Sequence, residues 1–150
     1  MILLSRRSLL AIAAVVDIAL HARPKPVSAK ALAGRHDLPP RHLETVLQQL
    51  VRSGILKGVR GPSGGYELAR DRRRVTAGDI VRSAMLATGE DGLPPMPHSR
   101  LVDHVIEPEV KLASNAFLTH LDSINVEDLC QRAEEHKAFG GTMQSVDFTI

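Results

Sequence analysis

The sequence predicts a mainly α fold of the α+β kind, with one two-stranded hairpin and a long C-terminal helix. Three observations carry that expectation. Apolar residues recur at three- and four-residue spacing over most of the chain, each run opened by a serine, threonine, asparagine or proline. One stretch, 55–69, reads instead as two short strands about a Gly/Pro-rich turn. After a linker over 88–98, holding three prolines and two glycines, the helical pattern resumes.

The first helix opens at Ser5, a side chain suited to capping free backbone amides, and Leu9, Ile12, Ala13, Val16, Ala19 and Leu20 fall on one face. Arg6 and Arg7 before an apolar run imitate a secretory signal. Asp17 interrupts that run, His21 and Arg23 follow without a small-residue cleavage site, and the stretch is shorter than the ~20 residues of a membrane span. Pro24 and Pro26 end the helix. Ser28 caps a short helix over Ala29–Arg35, with Ala29, Leu32 and Ala33 inward. After the Asp37–Pro40 turn, Pro40 suits the first position of a helix to about Ser53, whose inner face is Leu43, Val46, Leu47 and Leu50; Gly54 takes the left-handed position behind it.

Two short helices joined by a tight turn outline a helix-turn-helix, an outline shared with any αα-hairpin. The hairpin that follows separates the two. Ile55–Val59 and Tyr66–Ala69 form strands about Gly61-Pro62-Ser63-Gly64-Gly65, with Arg60 at the base, and so read as the wing of a winged helix. A phosphate-binding loop is excluded, because no helix follows the glycines and no lysine plus Ser/Thr closes the pattern. Thr76, with Asp79 at the third helical position, caps a helix over Ala77–Leu86 that turns Ile80, Val81 and Met85 to the core. The basic run Arg70–Arg74 before it is either a solvated turn or a phosphate contact. Beyond the linker, Leu101, Val105, Val110, Leu112, Ala113, Ala116, Phe117 and Leu121 predict one long helix bent at Pro108. Ser123 or Asn125 caps a last helix, Val126–His136, which contains Leu129. An apolar helix of this length outside a compact unit needs a partner, most simply the same helix of a second copy.

The 150 residues leave room for one domain or for a small domain plus an oligomerisation element. The formal charge of +2 hides an opposition: residues 1–83 carry 15 Lys/Arg against 6 Asp/Glu, and residues 84–150 carry 4 against 11. A +9 half beside a −7 half points to a polyanion-binding module joined to something that avoids polyanions. The single cysteine, Cys130, excludes an internal disulfide framework and any all-cysteine metal or cluster site within one chain, and fits a reducing, cytoplasmic location. No Ser/His/Asp constellation, phosphate loop or cofactor fingerprint appears, and the seven histidines are scattered, so no enzymatic activity is expected.

Leu4-Ser5-Arg6-Arg7, Arg41-His42-Leu43-Glu44 and the continuous run Leu50–Ala69, with Arg60-Gly61-Pro62 and Gly64-Gly65-Tyr66 in place, resemble the Rrf-two family of bacterial winged-helix transcriptional regulators. The resemblance covers roughly residues 3–85 and returns near Val105–Arg132; the Arg-Gly-Pro-x-Gly-Gly-Tyr segment is its most specific part. It implies a winged helix-turn-helix domain (1–87), a linker (88–98), dimerisation helices (99–137) and a flexible tail (138–150). It further implies a homodimer that reads a pseudo-palindrome in double-stranded DNA, acting as a repressor. Pro40–Ser53 would be the recognition helix, presenting Arg41, His42, Glu44, Thr45 and Gln48 to base edges. Arg60 would enter the minor groove, and Ser5, Arg6, Arg7, Ser28 and Tyr66 would contact phosphates.

The sequence also departs from the family. Its sensing members hold an iron–sulfur cluster through three cysteines between the winged helix and the dimerisation helix, whereas residues 84–129 here contain none. No cluster is therefore expected, nor any other cofactor. His98, Asp103, His104 and Glu107 crowd the same region and offer either a divalent-metal site or an ordinary charged helix face. Cys130 is a small buried hydrophobe, an intersubunit disulfide or an oxidant target. The remaining alternative is a protein-interaction regulator whose acidic half docks a metabolic enzyme.

Overall fold

The computed structural model describes residues 4–86 and 99–139; the expected linker, the last part of the tail and His98 lie outside them. The described residues form six α-helices, a π-helical turn and one two-stranded antiparallel sheet. The elements are α1 (Arg6–His21), α2 (Ala29–Arg35), α3 (Pro40–Arg52), β1 (Leu56–Val59), β2 (Gly65–Leu68), α4 (Ala77–Leu86), α5 (Glu107–Asp122) and α6 (Val126–Glu135).

Helix α1 is the central post, packed by α2, α3, α4, α6 and β2. Ser5 caps it as expected, accepting the Ser8 amide at 3.1 Å. Its buried face differs from the expected one. Of Leu9, Ile12, Ala13, Val16, Ala19 and Leu20 only Val16 is buried, and Leu9 is 39% exposed, while Ala11, Ala14, Val15 and Ile18 are fully buried. Two polar residues, Ser8 and Asp17, lie on the same buried stripe, so a count of apolar periodicity rotates the helix away from its true inner face. The alanines do the rest by letting neighbouring helices come close.

The helix-turn-helix forms as predicted. Ser28 accepts the Ala31 amide at 3.0 Å, and α3 buries Leu43, Val46, Leu47 and Leu50. Gly54 adopts φ +73°, which costs an L residue but not glycine. The wing strands pair Leu56 with Leu68 through Val59 with Gly65. Val27, just ahead of α2, adds a short third arm: its N–H donates to the Tyr66 carbonyl at 2.9 Å, and the Tyr66 N–H donates back at 2.8 Å. A β-carbon on Gly65 would overlap the Val27 carbonyl and stand 2.8 Å from the Ser28 nitrogen, so the close approach requires glycine.

Thr76 and Asp79 cap α4 reciprocally, both bonds at 3.0 Å. Ile80 and Val81 are buried, but Met85, expected inward, is 54% exposed because Ala84 takes the inner position of the last turn. The long helix starts at Ser99, whose hydroxyl accepts the Val102 amide at 3.1 Å. Where a bend was expected at Pro108, residues Val102–Ile106 form a π-helical turn, and the Glu107 N–H reaches back to Val102. Pro108 has no amide to donate and its ring crowds the preceding turn, and the wider turn relieves both problems.

Asn125 caps α6 in a full capping box with Asp128, at 2.8 and 3.1 Å, while Ser123 closes α5 by donating to the His120 carbonyl at 2.6 Å. The chain returns to the first unit here. The Val126 amide donates to the Val75 carbonyl and the Ala77 amide to the Ile124 carbonyl, both at 2.8 Å. Helix α6 then buries Val126 and Cys130 in the same core as Ala11, Val15 and Ile18.

Candidate nucleic-acid interface

Helix α3 has two faces. Its apolar stripe is spent on the core, which leaves Arg41, His42, Glu44, Thr45 and Gln48 together on the exposed side. Pro40 opens the helix without needing an amide partner, so the first turn carries these side chains outward from a pre-set backbone. None of the five side chains hydrogen-bonds or ion-pairs with another described residue. Arg60 stands equally clear on the wing, one residue past β1 and before Gly61, whose φ is +118°. The donors and acceptors that base edges require are therefore unspent.

The expected phosphate contacts are placed unequally. Ser5 and Ser28 already accept backbone amides as helix caps; the Ser5 hydroxyl also shares a 3.0 Å bond with the Ser8 hydroxyl, whereas that of Ser28 retains a hydrogen to donate. Arg6 is exposed and Arg7 half-buried at the start of α1. Tyr66 is half-buried against the core beside Val27, its backbone committed to that bridge. Within the basic run, Arg72 pairs with Glu127 and so ties this turn to α6, whereas the exposed Arg73 pairs only with its near neighbour Asp71, at 3.2 Å. Asp71 is held down to about 2 by the Arg73 side chain and amide.

A groove of about 590 Å³ between the wing loop and the start of α2 was not foreseen. Arg23, Lys25, Ser28 and Ser63 line it, and no acidic side chain does. Arg23 and Lys25 flank prolines that punctuate the chain, and that role masked their charge. The bridge between Val27 and Tyr66 brings the wing to them.

One carboxylate organises the packing of α2 on α1, and two of its partners, His21 and Arg35, also line that groove. Asp17 is fully buried and accepts three contacts from the Arg35 guanidinium at 2.6, 2.9 and 3.1 Å. Two further contacts come from His36 Nε2 at 3.0 Å and His21 Nδ1 at 3.2 Å. The pair raises the already high Arg35 value, chiefly through the side-chain bond. Asp17, which in the sequence only breaks an apolar run, is thus the clamp between α1 and α2.

Away from this face, α5 leaves large apolar side chains in solvent: Val110 is 57% and Leu112 64% exposed, and Leu101, Val105 and Ile106 continue the surface. Cys130 is 1% exposed, and burial pushes its thiol up. Glu107 pairs with Lys111 at 2.8 Å, and among the described residues no group of three or more His, Cys, Asp or Glu could hold a metal ion. An iron–sulfur cluster does not fit this donor set, since the one cysteine of the chain points into the α1–α6 core. No helix among the described residues is long and apolar enough to cross a membrane.

Comparison with known proteins agrees with this geometry. Residues 4–132 match the Rrf2 family, described as iron-dependent transcriptional regulators. A Synechocystis sp. protein named as an HTH-type transcriptional regulator is 32% identical, over 98% of this chain and 99% of its own. The HTH-type transcriptional regulator IscR of Xenorhabdus nematophila is 28% identical, over 83% of this chain and 76% of its own. Among solved structures, IscR of T. potens superposes with a TM-score of 0.68 at 32% identity, covering 89% of each chain. CymR of B. subtilis, at 24% identity and a TM-score of 0.67, shares the fold over 88% of this chain and 98% of its own. A two-faced third helix, a glycine-locked wing and these relatives lead to one conclusion: the chain belongs to the Rrf2 family and is a DNA-binding, winged-helix transcriptional regulator rather than an enzyme.

Proposed function

We propose that this protein is a cytoplasmic, homodimeric repressor that occupies a pseudo-palindromic operator without an iron–sulfur cluster. The observation that carries the reading is the exposed, unpartnered face of α3 beside Arg60. In this reading Arg41 and Gln48 address purine edges, Glu44 accepts from a cytosine amino group, and His42 and Thr45 complete the major-groove surface. Arg60 enters the flanking minor groove, where a narrow A·T tract concentrates negative potential. Ser5, Arg6, Arg7, Ser28 and Tyr66, joined by Arg23, Lys25 and Ser63, set register on the phosphates. Residues 1–87 are the DNA-binding unit, 88–98 the linker, 99–137 the dimerising segment, whose last helix α6 returns to the core of the first unit, and 138–150 a tail; the exposed apolar side chains of α5 support pairing with a second copy.

Two measurements test this. Binding to a duplex selected from a random pool, followed across a salt series, is expected to weaken steeply, by roughly 10³-fold between 50 and 200 mM salt for six or more phosphate contacts per dimer. Equal affinity for selected and random duplex would remove the specific-reader claim. Protein purified without oxygen is expected to be colourless and iron-free while still binding the duplex; stoichiometric iron and sulfide would overturn the cluster-free reading.

A further inference from the structure

Helix α4 is gripped on two sides by neighbouring residues. On one side Ser83, buried against α3, lies 2.7 Å from the Ser53 hydroxyl and donates to the Gln49 carbonyl at 3.4 Å, which ties α4 to the end of the recognition helix. On the other side Arg82 makes a two-pronged pair with Asp122 at the end of α5, Nη1 to Oδ1 at 2.6 Å and Nη2 to Oδ2 at 2.8 Å. Gly78 makes room for that pair: a β-carbon there would overlap the Asp122 carboxylate and stand 2.9 Å from its Cγ. The next anchor along the chain is the backbone bond from Ala77 to Ile124 at 2.8 Å. Two backbone bonds just past the end of α5, Ala77 to Ile124 and Val126 to Val75, and one planar fork on α5 itself thus define how α5 leaves the DNA-binding unit.

We propose that the Arg82–Asp122 pair, seated over Gly78, is the positioning element that sets the angle between α5 and the recognition helix, and with it the spacing of the two DNA half-sites. The inference rests on the dimeric reading above. A single contact fixes a distance, whereas two parallel N–H···O bonds also fix a plane. The demand on that plane is tight. The 16 residues of α5 span about 24 Å, and a tilt of roughly 8° moves its far end by about one base-pair step, near 3.4 Å. Both partners are half-exposed, so the pair contributes little to stability, and its removal leaves a folded protein with a loosened angle.

The test is selection of binding sites from a random duplex pool by the full-length protein, with sequencing of the bound fraction. The wild type is expected to return a two-fold repeat at one spacing. Arg82→Ala and Asp122→Ala are expected to return the same half-site at a spread of spacings, with roughly tenfold discrimination against a one-base-pair change falling to about twofold. Arg82→Lys keeps the charge and loses the fork, and is expected to behave like the alanine variants; wild-type selectivity in it would overturn the planar-pair argument. Circular dichroism and sedimentation confirm that each variant is folded and dimeric. An unchanged single spacing in the alanine variants, or an altered half-site sequence, overturns the proposal. Absence of any two-fold repeat in the wild type removes the dimeric reading and the inference with it, and that failure is visible before a variant is made.

Discussion

Substituting Asn for Asp17 should be among the most damaging isosteric changes in the described structure. The carboxylate is fully buried and accepts all three Arg35 contacts, the closest at 2.6 Å, together with His21 and His36. Asparagine preserves the volume but removes the charge and points an NH₂ at donors that need an acceptor. Removing one partner of a buried ion pair costs about 3–5 kcal/mol, because the other charge is left behind. The Arg35 side chain is 32% exposed and recovers some hydration, which places Asp17→Asn near the low end, about 3 kcal/mol. For a chain of this size that is a fall of about 10 °C in the unfolding midpoint. Urea unfolding followed by far-ultraviolet circular dichroism, with the slope compared between the two proteins, measures the loss directly. A loss below about 1 kcal/mol would refute the clamp, since it would mean that the network is no better than a solvated surface pair. Because Asp17 holds α2 to α1, operator affinity should fall along with stability.

Other outcomes follow from the same geometry. Gly65→Ala should break the bridge between Val27 and Tyr66, costing about 2 kcal/mol and speeding exchange of the Tyr66 amide; unchanged exchange would show that the backbone yields without loss. Cys130 should resist thiol reagents in the native state and react on unfolding. Its raised pKa keeps its full stabilising contribution below pH 9.0, the unfolded value, and loses it as the pH climbs toward the folded value, so stability should decline in that alkaline range and Cys130→Ala should flatten the decline. Arg60→Ala should weaken binding most on duplexes with A·T-rich flanks, and a uniform loss over all flanks would reduce Arg60 to a phosphate contact.

Local rules made much of this legible in one dimension. Ser5, Ser28 and the Thr76/Asp79 box announce helix starts because a cap acts within three residues. The apolar stripe of α3 names its inner face, and therefore its outer one, since nothing polar interrupts it. The wing is visible because Gly61 and Gly64 are demanded by the local backbone of its turn. The expectations that failed depended on distant partners. The face of α1 was misplaced because Asp17 and Ser8 are buried only by virtue of Arg35, His36 and neighbouring helices. Met85 departs from expectation for the same kind of reason: which residue of α4 takes the inner position, like the pairing of Arg72 with Glu127, is decided across the fold.

By itself, the sequence determined the element order, the helix caps, the buried and exposed faces of α3, the wing and the contrast between a basic and an acidic half. Each of these depends on spacings of a few residues or on net charge. Only the tertiary structure decided that Asp17 is a clamp, that Val27 stitches the wing beside Arg23 and Lys25, that α6 returns to the first core, and that Arg82 meets Asp122 over Gly78. Those contacts join residues 18 to more than 100 positions apart, and no periodicity along a chain encodes which distant donor will satisfy a given acceptor.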